Sequence, residues 1–378
     1  MGPSRMANGG STRAKVLLFF GTRPEAIKLA PVLRALRASQ HLAPVVCVSA
    51  QHRELLDNVL RGFEIVPDYD LDLMVSDQSL FHITAAVLSG LEPILADEAP
   101  DLALVQGDAQ TALCGALAAY YRRVPIGHVE AGLRTGDRYA PFPEEMNRRL
   151  LARLASLHFA PTGAARDNLL AEGVPEADVF VTGNTEIDAL RFMSAHGPLP
   201  DAFAFPGRTL LVTAHRRESF GTGIERICEA LRTLAREHSE VTIVFPVHPN
   251  PHVDGPVRRA LGDVPRIILT GPLDYASFVH LLARSALVLT DSGGIQEAAA
   301  ALHVPALVLR EKTERVEGIR AGAARLVGTD PARIVAEVDA LLSDSRAHAA
   351  MARAKNPYGD GHAAMRIVEI LEARLARG

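Results

Sequence analysis

Val16-Leu17-Leu18-Phe19-Phe20-Gly21-Thr22-Arg23-Pro24-Glu25 is the stretch that decides the fold. Five apolar residues in a row suit a strand buried on both faces. The glycine permits a tight exit, and a proline at the first turn opens a helix. Pro31 lies within that helix and is expected to kink it. A strand that passes straight into a helix begins a parallel sheet with helices on both faces. The rhythm continues, with strands expected at 45–49, 102–106, 126–129, 157–160 and 179–182 and helices at 79–95, 111–122 and 143–155.

The pattern then restarts. Strands are expected at 210–213, 242–246, 266–269, 287–290 and 306–309, with helices at 224–236, 275–284 and 295–302. The fold class is therefore α/β, with two Rossmann-like doubly wound parallel-sheet domains facing a central cleft, where such sheets bind ligands at their strand ends. The expected division is a disordered lead-in at 1–14, an N-terminal domain at 15–186 completed by a C-terminal helix at 361–378, and a C-terminal domain at 187–360. The hinge is expected near 184–188. No repeat of solenoid period is visible.

Bulk properties agree with two folded domains: 378 residues exceed one ordinary core, and 48% hydrophobic with 22% charged residues is a globular balance. A net charge of −4 and the absence of Trp disfavour nucleic-acid and membrane-surface binding. Cys47, Cys114 and Cys228 are far apart and form no C-x-x-C pair, so buried free thiols in a reducing compartment are expected. No apolar run is seen to reach the roughly 18 residues of a membrane span, and the Gly/Ser-rich start lacks a signal core, which makes cytoplasmic residence the expectation.

The chemistry-bearing residues cluster at expected strand ends. Gly21 to Glu25, with Lys28 one turn on, offers helix-start N–H groups and two cations for a diphosphate, although a solvated turn explains it equally well. Asp291-Ser292-Gly293-Gly294-Ile295-Gln296-Glu297 is its counterpart, where paired glycines let backbone approach an anion and Glu297 suits a ribose. His215-Arg216-Arg217-Glu218 follows a strand and suits phosphate binding or proton exchange, with a solvated loop as the alternative. His248 fits either a site or the cap of a proline-rich turn.

The acidic stretch from Asp108 to Glu145 is the most informative. Glu144 and Glu145 suit a helix first turn electrostatically, but that does not account for Asp108 and Glu130 at neighbouring strand ends. Zinc-protease and serine-hydrolase signatures are absent, and neither a metal nor a cofactor is expected.

Ten segments in order resemble the non-hydrolysing UDP-N-acetylglucosamine 2-epimerases. They are GTRPEAIKLAP, AQHRELLD, QGD, HVEAGLRTGDRYAPFPEEMNRR, TGNTEIDAL, HRRESFG, VHPNP, GPLDYASF, TDSGGIQE and LREKTER, spread from about residue 15 to 330. The resemblance implies GT-B architecture, a homodimer, and interconversion of UDP-GlcNAc and UDP-ManNAc without an added cofactor. It implies loss of the C2 proton coupled to departure of UDP, giving a glycal that is re-protonated on the other face and recaptures UDP. Such a route needs proton-transfer groups on both sides of the ring and cations on the diphosphate. By resemblance, Asp108, Glu130, Glu144 and His215 occupy the catalytic positions. Arg23, Lys28, Ser292, Gly293, Gly294 and Glu297 are implied contacts of UDP, with Arg216 and Arg315 beside them.

The chain also departs from the family pattern. Ala298 replaces a second acid that commonly holds the ribose, Val316 replaces a proline, and Ala109 replaces a threonine. A regulatory UDP-GlcNAc site implied by Gln51 and His52 carries Glu54 and Asp77 in place of Gln and Arg. Two extra negative charges repel a diphosphate, so weak or absent activation is expected. The competing expectations are a hydrolysing relative that releases ManNAc and UDP, a GT-B glycosyltransferase, and a silent sugar-nucleotide sensor.

Overall fold

A computed structural model describes residues 13–49, 53–73, 79–196, 205, 207–313 and 315–376, without the side chains at 53–55 and 217. Most of the lead-in and the residues Gln51, His52 and Asp77 lie outside the described residues, as does the side chain of Glu54. The chain divides into two compact units, Met1–Asp188 with His362–Gly378, and Ala189–Gly361.

The first unit holds seven strands: β1 Ala14–Phe20, β2 Leu42–Val48, β3 Tyr69–Asp70, β4 Leu102–Gln106, β5 Ile126–Val129, β6 Leu157–Ala160 and β7 Val179–Val181. Their order across the sheet is β3-β2-β1-β4-β5-β6-β7, and every pairing is parallel. Phe19, Val105, Val87 and Ala116 belong to one buried cluster between sheet and helices. The last helix, Ala363–Leu375, packs on the first, Arg23–Ala38, and Ser39 Oγ donates to Glu372 Oε1 at 2.5 Å. Its start is capped by buried Asp188, which accepts from Ala363 N (3.2 Å) and Ala364 N (2.9 Å). The helix Arg23–Ala38 runs through Pro31 as a single element.

The second unit holds β8 Arg208–Thr213, β9 Val241–Pro246, β10 Ile267–Thr270, β11 Leu287–Thr290, β12 Ala306–Val308 and β13 Ala324–Leu326. Their order is β10-β9-β8-β11-β12-β13, again all parallel. In each unit the direction of strand addition reverses once, at β1/β4 and at β8/β11. A crevice opens there beyond the strand C-termini.

Three details correct the sequence reading. Strands β3 and β13 escaped it because two and three residues carry too little pattern. The helices Arg53–Gly62, Gly163–Ala171, Thr185–Ala195, Pro251–Leu261, Pro331–Ser343 and Ser345–Ala352 escaped it as well. The helix Leu80–Glu98 has 19 residues and a mean hydropathy of 1.3, long and apolar enough to cross a membrane by length and composition. This corrects the expectation that no apolar run is that long; His82, Thr84, Ser89 and Glu92 interrupt the stretch and mask it in the sequence. Ile83, Val87, Leu91, Ile94 and Leu95 recur at helical spacing and turn one face into the core. The three cysteines are buried and unpaired as expected, and burial pushes the Cys47 thiol up to about 12.

Candidate functional site

In the first unit, the ends of β1, β4 and β5 bring carboxylates together. Glu130 follows β5 in the left-handed region (φ +65°), a conformation that costs energy in a non-glycine residue. Its carboxylate is held at both oxygens: Lys28 Nζ donates to Oε1 at 2.6 Å and Gln106 Nε2 to Oε2 at 2.5 Å. Glu186 lies 3.9 Å from the same ammonium. Lys28, proposed from sequence for the nucleotide, is thus engaged with a carboxylate.

Gly107 follows β4 at φ +72°, and its carbonyl accepts a bond from His128 Nε2 at 2.7 Å. Since a carbonyl only accepts, Nε2 carries the ring proton. Burial drives His128 down to about 4, so the ring is neutral at ordinary pH. Asp108 comes next, and Arg148 reaches its Oδ2 from Nε at 2.8 Å and Nη2 at 2.7 Å. Asn147 Nδ2 donates to the Asp108 carbonyl at 2.9 Å, so both the backbone and the carboxylate of Asp108 are fixed by one helix, Glu144–Leu154.

Glu144 and Glu145 begin that helix and have different surroundings. Glu145 is fully buried and accepts from Thr135 N (3.0 Å), Gly136 N (3.4 Å), Arg148 and Arg149. Burial raises its pKa, but the Thr135 N–H, Arg149 and the Gly136 N–H outweigh burial and hold the carboxyl below the ordinary range. Glu145 ties the 135–136 turn to the helix. Glu144 instead has a buried Oε2 with no hydrogen-bond partner among the described residues, an arrangement that suits a ligand.

The Gly21 turn differs from its sequence reading. The buried carboxylate of Glu25 accepts from Gly21 N at 3.0 Å, Thr22 N at 2.7 Å and Thr111 Oγ1 at 3.0 Å. These two N–H groups are therefore already filled by an anion of the chain itself, and burial raises the pKa of Glu25. A Cβ on Gly21 would stand 1.8 Å from Ser49 Oγ, so the turn is also packed shut. Arg23 remains half-buried, with no partner among the described residues.

In the second unit, His215 lies just beyond β8 and Asp291 just beyond β11. Asp291 is fully buried, and its Oδ2 accepts from His215 N and Arg216 N, both at 2.8 Å. His215 Nδ1 stands 3.5 Å from Asp291 Oδ1, and the ring of His248 stacks on it at 5.5 Å. Burial lowers the pKa of His215, with Arg216 and His248 acting in the same direction and Asp291 opposing. His248 accepts from Asn250 N at 3.1 Å, the turn-capping role, while remaining stacked on His215.

Ser292 stands at the N-cap position of the helix Gly293–Ala301 without a side-chain capping bond, and its N–H donates to Thr290 Oγ1 at 3.0 Å. Beside Gly294 there is open space where a Cβ would stand. The first N–H groups of a helix have no intrahelical acceptor, so this helix start presents free donors and positive dipole. Glu297 accepts from Arg315 Nε at 2.5 Å, so the proposed ribose acceptor is bound to a cation nearby. The structure thus brings Glu297 and Arg315 together, whereas the side chain of Arg216 is exposed. Ala298 is buried.

Sequence reasoning passed over Gln106, Arg148, Glu25 and Asp291 as individual residues. Their common signal is a polar residue beside an apolar strand end, visible only once strand order is known. Among the described residues, no group of three or more His, Cys, Asp or Glu is arranged to hold a metal.

Comparison with known proteins adds to this geometry. Residues 34–372 match the family model described as UDP-N-acetylglucosamine 2-epimerase. A protein of that name from Salmonella typhimurium is 53% identical over 370 residues, covering 95% of this chain and 98% of the relative. A crystal structure of a putative UDP-N-acetylglucosamine 2-epimerase from Listeria monocytogenes superposes with a TM-score of 0.89 at 44% identity, covering 97% and 98% of the two chains. The UDP-GlcNAc 2-epimerase from Neisseria meningitidis, solved bound to UDP-GlcNAc, matches with a TM-score of 0.76 at 44% identity, over 95% and 100%.

Proposed function

The chain belongs to the UDP-N-acetylglucosamine 2-epimerase family, and on that premise we propose that it interconverts UDP-GlcNAc and UDP-ManNAc without releasing free sugar. The reaction proceeds by elimination: a base removes the C2 proton as the C1–O bond to UDP breaks, leaving a 2-acetamidoglucal and UDP. Delivery of a proton to C2 on the opposite face, with return of UDP to C1, completes the inversion. The protons and the leaving group balance, so no oxidant or cofactor enters.

The observation that carries this reading is the carboxylate set at adjacent strand and helix ends, with Glu144 Oε2 buried and unpartnered. Asp108 and Glu130 are locked by Arg148, Lys28 and Gln106, which suits groups that must face a sugar ring at fixed positions. Asp108, Glu130, Glu144 and His215 are the proton-handling groups. Ser292, Gly293 and Gly294 receive the diphosphate at the open helix start, and Arg23, Arg216 and Arg315 supply cations. Glu297 takes the ribose in exchange for part of its bond to Arg315.

The chain further acts as a homodimer. Phe81, Tyr120 and Tyr121 are 88%, 57% and 66% exposed on two helices that pack together, large side chains that a second copy could cover. A monomeric mass in solution would contradict this.

Proton NMR of the products tests the reaction. UDP-GlcNAc incubated with the enzyme is expected to give UDP-ManNAc with its anomeric phosphate coupling intact. Accumulation of free ManNAc and UDP would mark a hydrolysing enzyme instead.

A further inference from the structure

We propose that Asp291 is the positioning residue of His215: it accepts Nδ1–H of the imidazole, so that Nε2 faces the substrate as the proton-exchanging atom. This rests on the reading of His215 as a proton-transfer group.

The geometry divides the two oxygens of Asp291. Oδ2 is fully occupied by the N–H groups of His215 and Arg216 at 2.8 Å, with Ser219 Oγ at 3.5 Å. These bonds fix the carboxylate and the start of the 215–219 loop. Oδ1 is buried and has no hydrogen-bond partner among the described residues, yet lies 3.5 Å from His215 Nδ1. A buried carboxylate oxygen without a donor costs free energy, and the imidazole is the donor within reach. A small turn of the ring closes the gap, as catalytic bonds commonly tighten on substrate binding.

The surroundings of the ring agree. Asp291 approaches from the end of β11, His248 stacks from the segment after β9, and Arg216 and Ser219 lie on the ring's own loop. Arg216 and His248 oppose a positive charge on His215, as does burial, and Asp291 is the group that favours it. Without Asp291 the imidazolium form would have no stabilising partner in this set. With it, the ring both holds the required tautomer and accepts a proton at Nε2 during turnover.

Two measurements test this on the intact enzyme. In the wild type, side-chain ¹⁵N NMR of His215 is expected to show neutral ring with the proton on Nδ1. A neutral ring protonated on Nε2 would overturn the proposal without any variant. In Asp291→Asn, the amide oxygen can still accept the backbone N–H groups. The His215 titration is then expected to move down by about one pH unit, with the matching limb of the kcat profile following it. On this account kcat falls on the order of a hundred-fold while KM changes little. An unmoved titration and profile in a folded Asp291→Asn protein would overturn it. His215→Gln separates the two claims. Wild-type kcat in that variant defeats the reading of His215, whereas a large loss with an unshifted Asp291→Asn profile defeats the Asp291 proposal alone.

Discussion

The switch points of the two sheets share one strand order and carry opposite furnishings. At β1/β4 the helix-start N–H groups of Gly21 and Thr22 are filled by the chain's own Glu25, and a Cβ on Gly21 has no room. At β8/β11 the buried acid Asp291, just beyond the strand end, holds the N–H groups of His215 and Arg216 instead, and the helix start at Gly293 stands open. The same topology thus supports two chemistries. Where an internal carboxylate occupies the anion position, the crevice is free to carry acid–base groups. Where it does not, the crevice suits a diphosphate.

The sharpest way to break this contrast lies within the first unit. Glu144→Gln is expected to lower kcat by on the order of a thousand-fold and leave the melting temperature nearly unchanged, because Glu144 Oε2 has no hydrogen-bond partner among the described residues. Glu145→Gln is expected to destabilise the fold by about 3 kcal/mol, since it removes a buried charge from Arg148, Arg149 and two backbone donors. Equal effects on activity and stability in both variants would erase the distinction between neighbouring acids.

The histidines divide in the same way. His128 and His158, on adjacent strands of the first sheet, are buried, and burial holds both near 4. Their folded pKa lies below the unfolded one, so their contribution is intact above about pH 6.5 and is lost as pH falls toward 4. Each ring accounts for up to about 3 kcal/mol of that loss. Urea midpoints measured between pH 7 and 4 should show it, and His128→Asn should flatten the slope. A pH-independent midpoint would contradict the burial of these rings as neutral groups.

Glycine substitution compares the switch points directly. Gly21→Ala places a methyl 1.8 Å from Ser49 Oγ and is expected to cost about 1–3 kcal/mol of stability. Gly294→Ala enters open space and should leave stability unchanged, while raising KM for the nucleotide sugar. A Gly294→Ala protein with unaltered KM would show that the diphosphate does not approach that helix start. The smallest effect expected is at the positions that the family resemblance implies for regulation: trace UDP-GlcNAc should barely alter the initial rate from UDP-ManNAc, given Glu54 and Asp77. Strong activation would contradict this.

Much of this arrangement is legible in the sequence, for physical reasons. Strands such as Leu102–Gln106 and Leu287–Thr290 are bounded by residues that cannot continue a buried apolar run, so their ends are marked. The capped helix Tyr275–Arg284 follows Asp274, whose side chain accepts from Ser277 N. Tyr69–Asp70 is a strand only because β2 lies beside it, which no local pattern records. The acids were visible as residue types at strand ends. Their division into Glu145 and Glu25, which hold the fold, and Glu144 and Asp108, which are left to the site, depends on donors distant in sequence. Arg148 meets Asp108 across 40 positions and Thr111 meets Glu25 across 86. No spacing rule reaches that far.

The central claim is that the carboxylates handle a proton at C2. It is tested most directly by turning over UDP-GlcNAc in D₂O and following the C2 position by proton NMR. The account predicts that UDP-ManNAc forms with deuterium at C2 and that recovered UDP-GlcNAc also gains it. Epimerised product retaining its original C2 hydrogen, or no exchange at all, would contradict it.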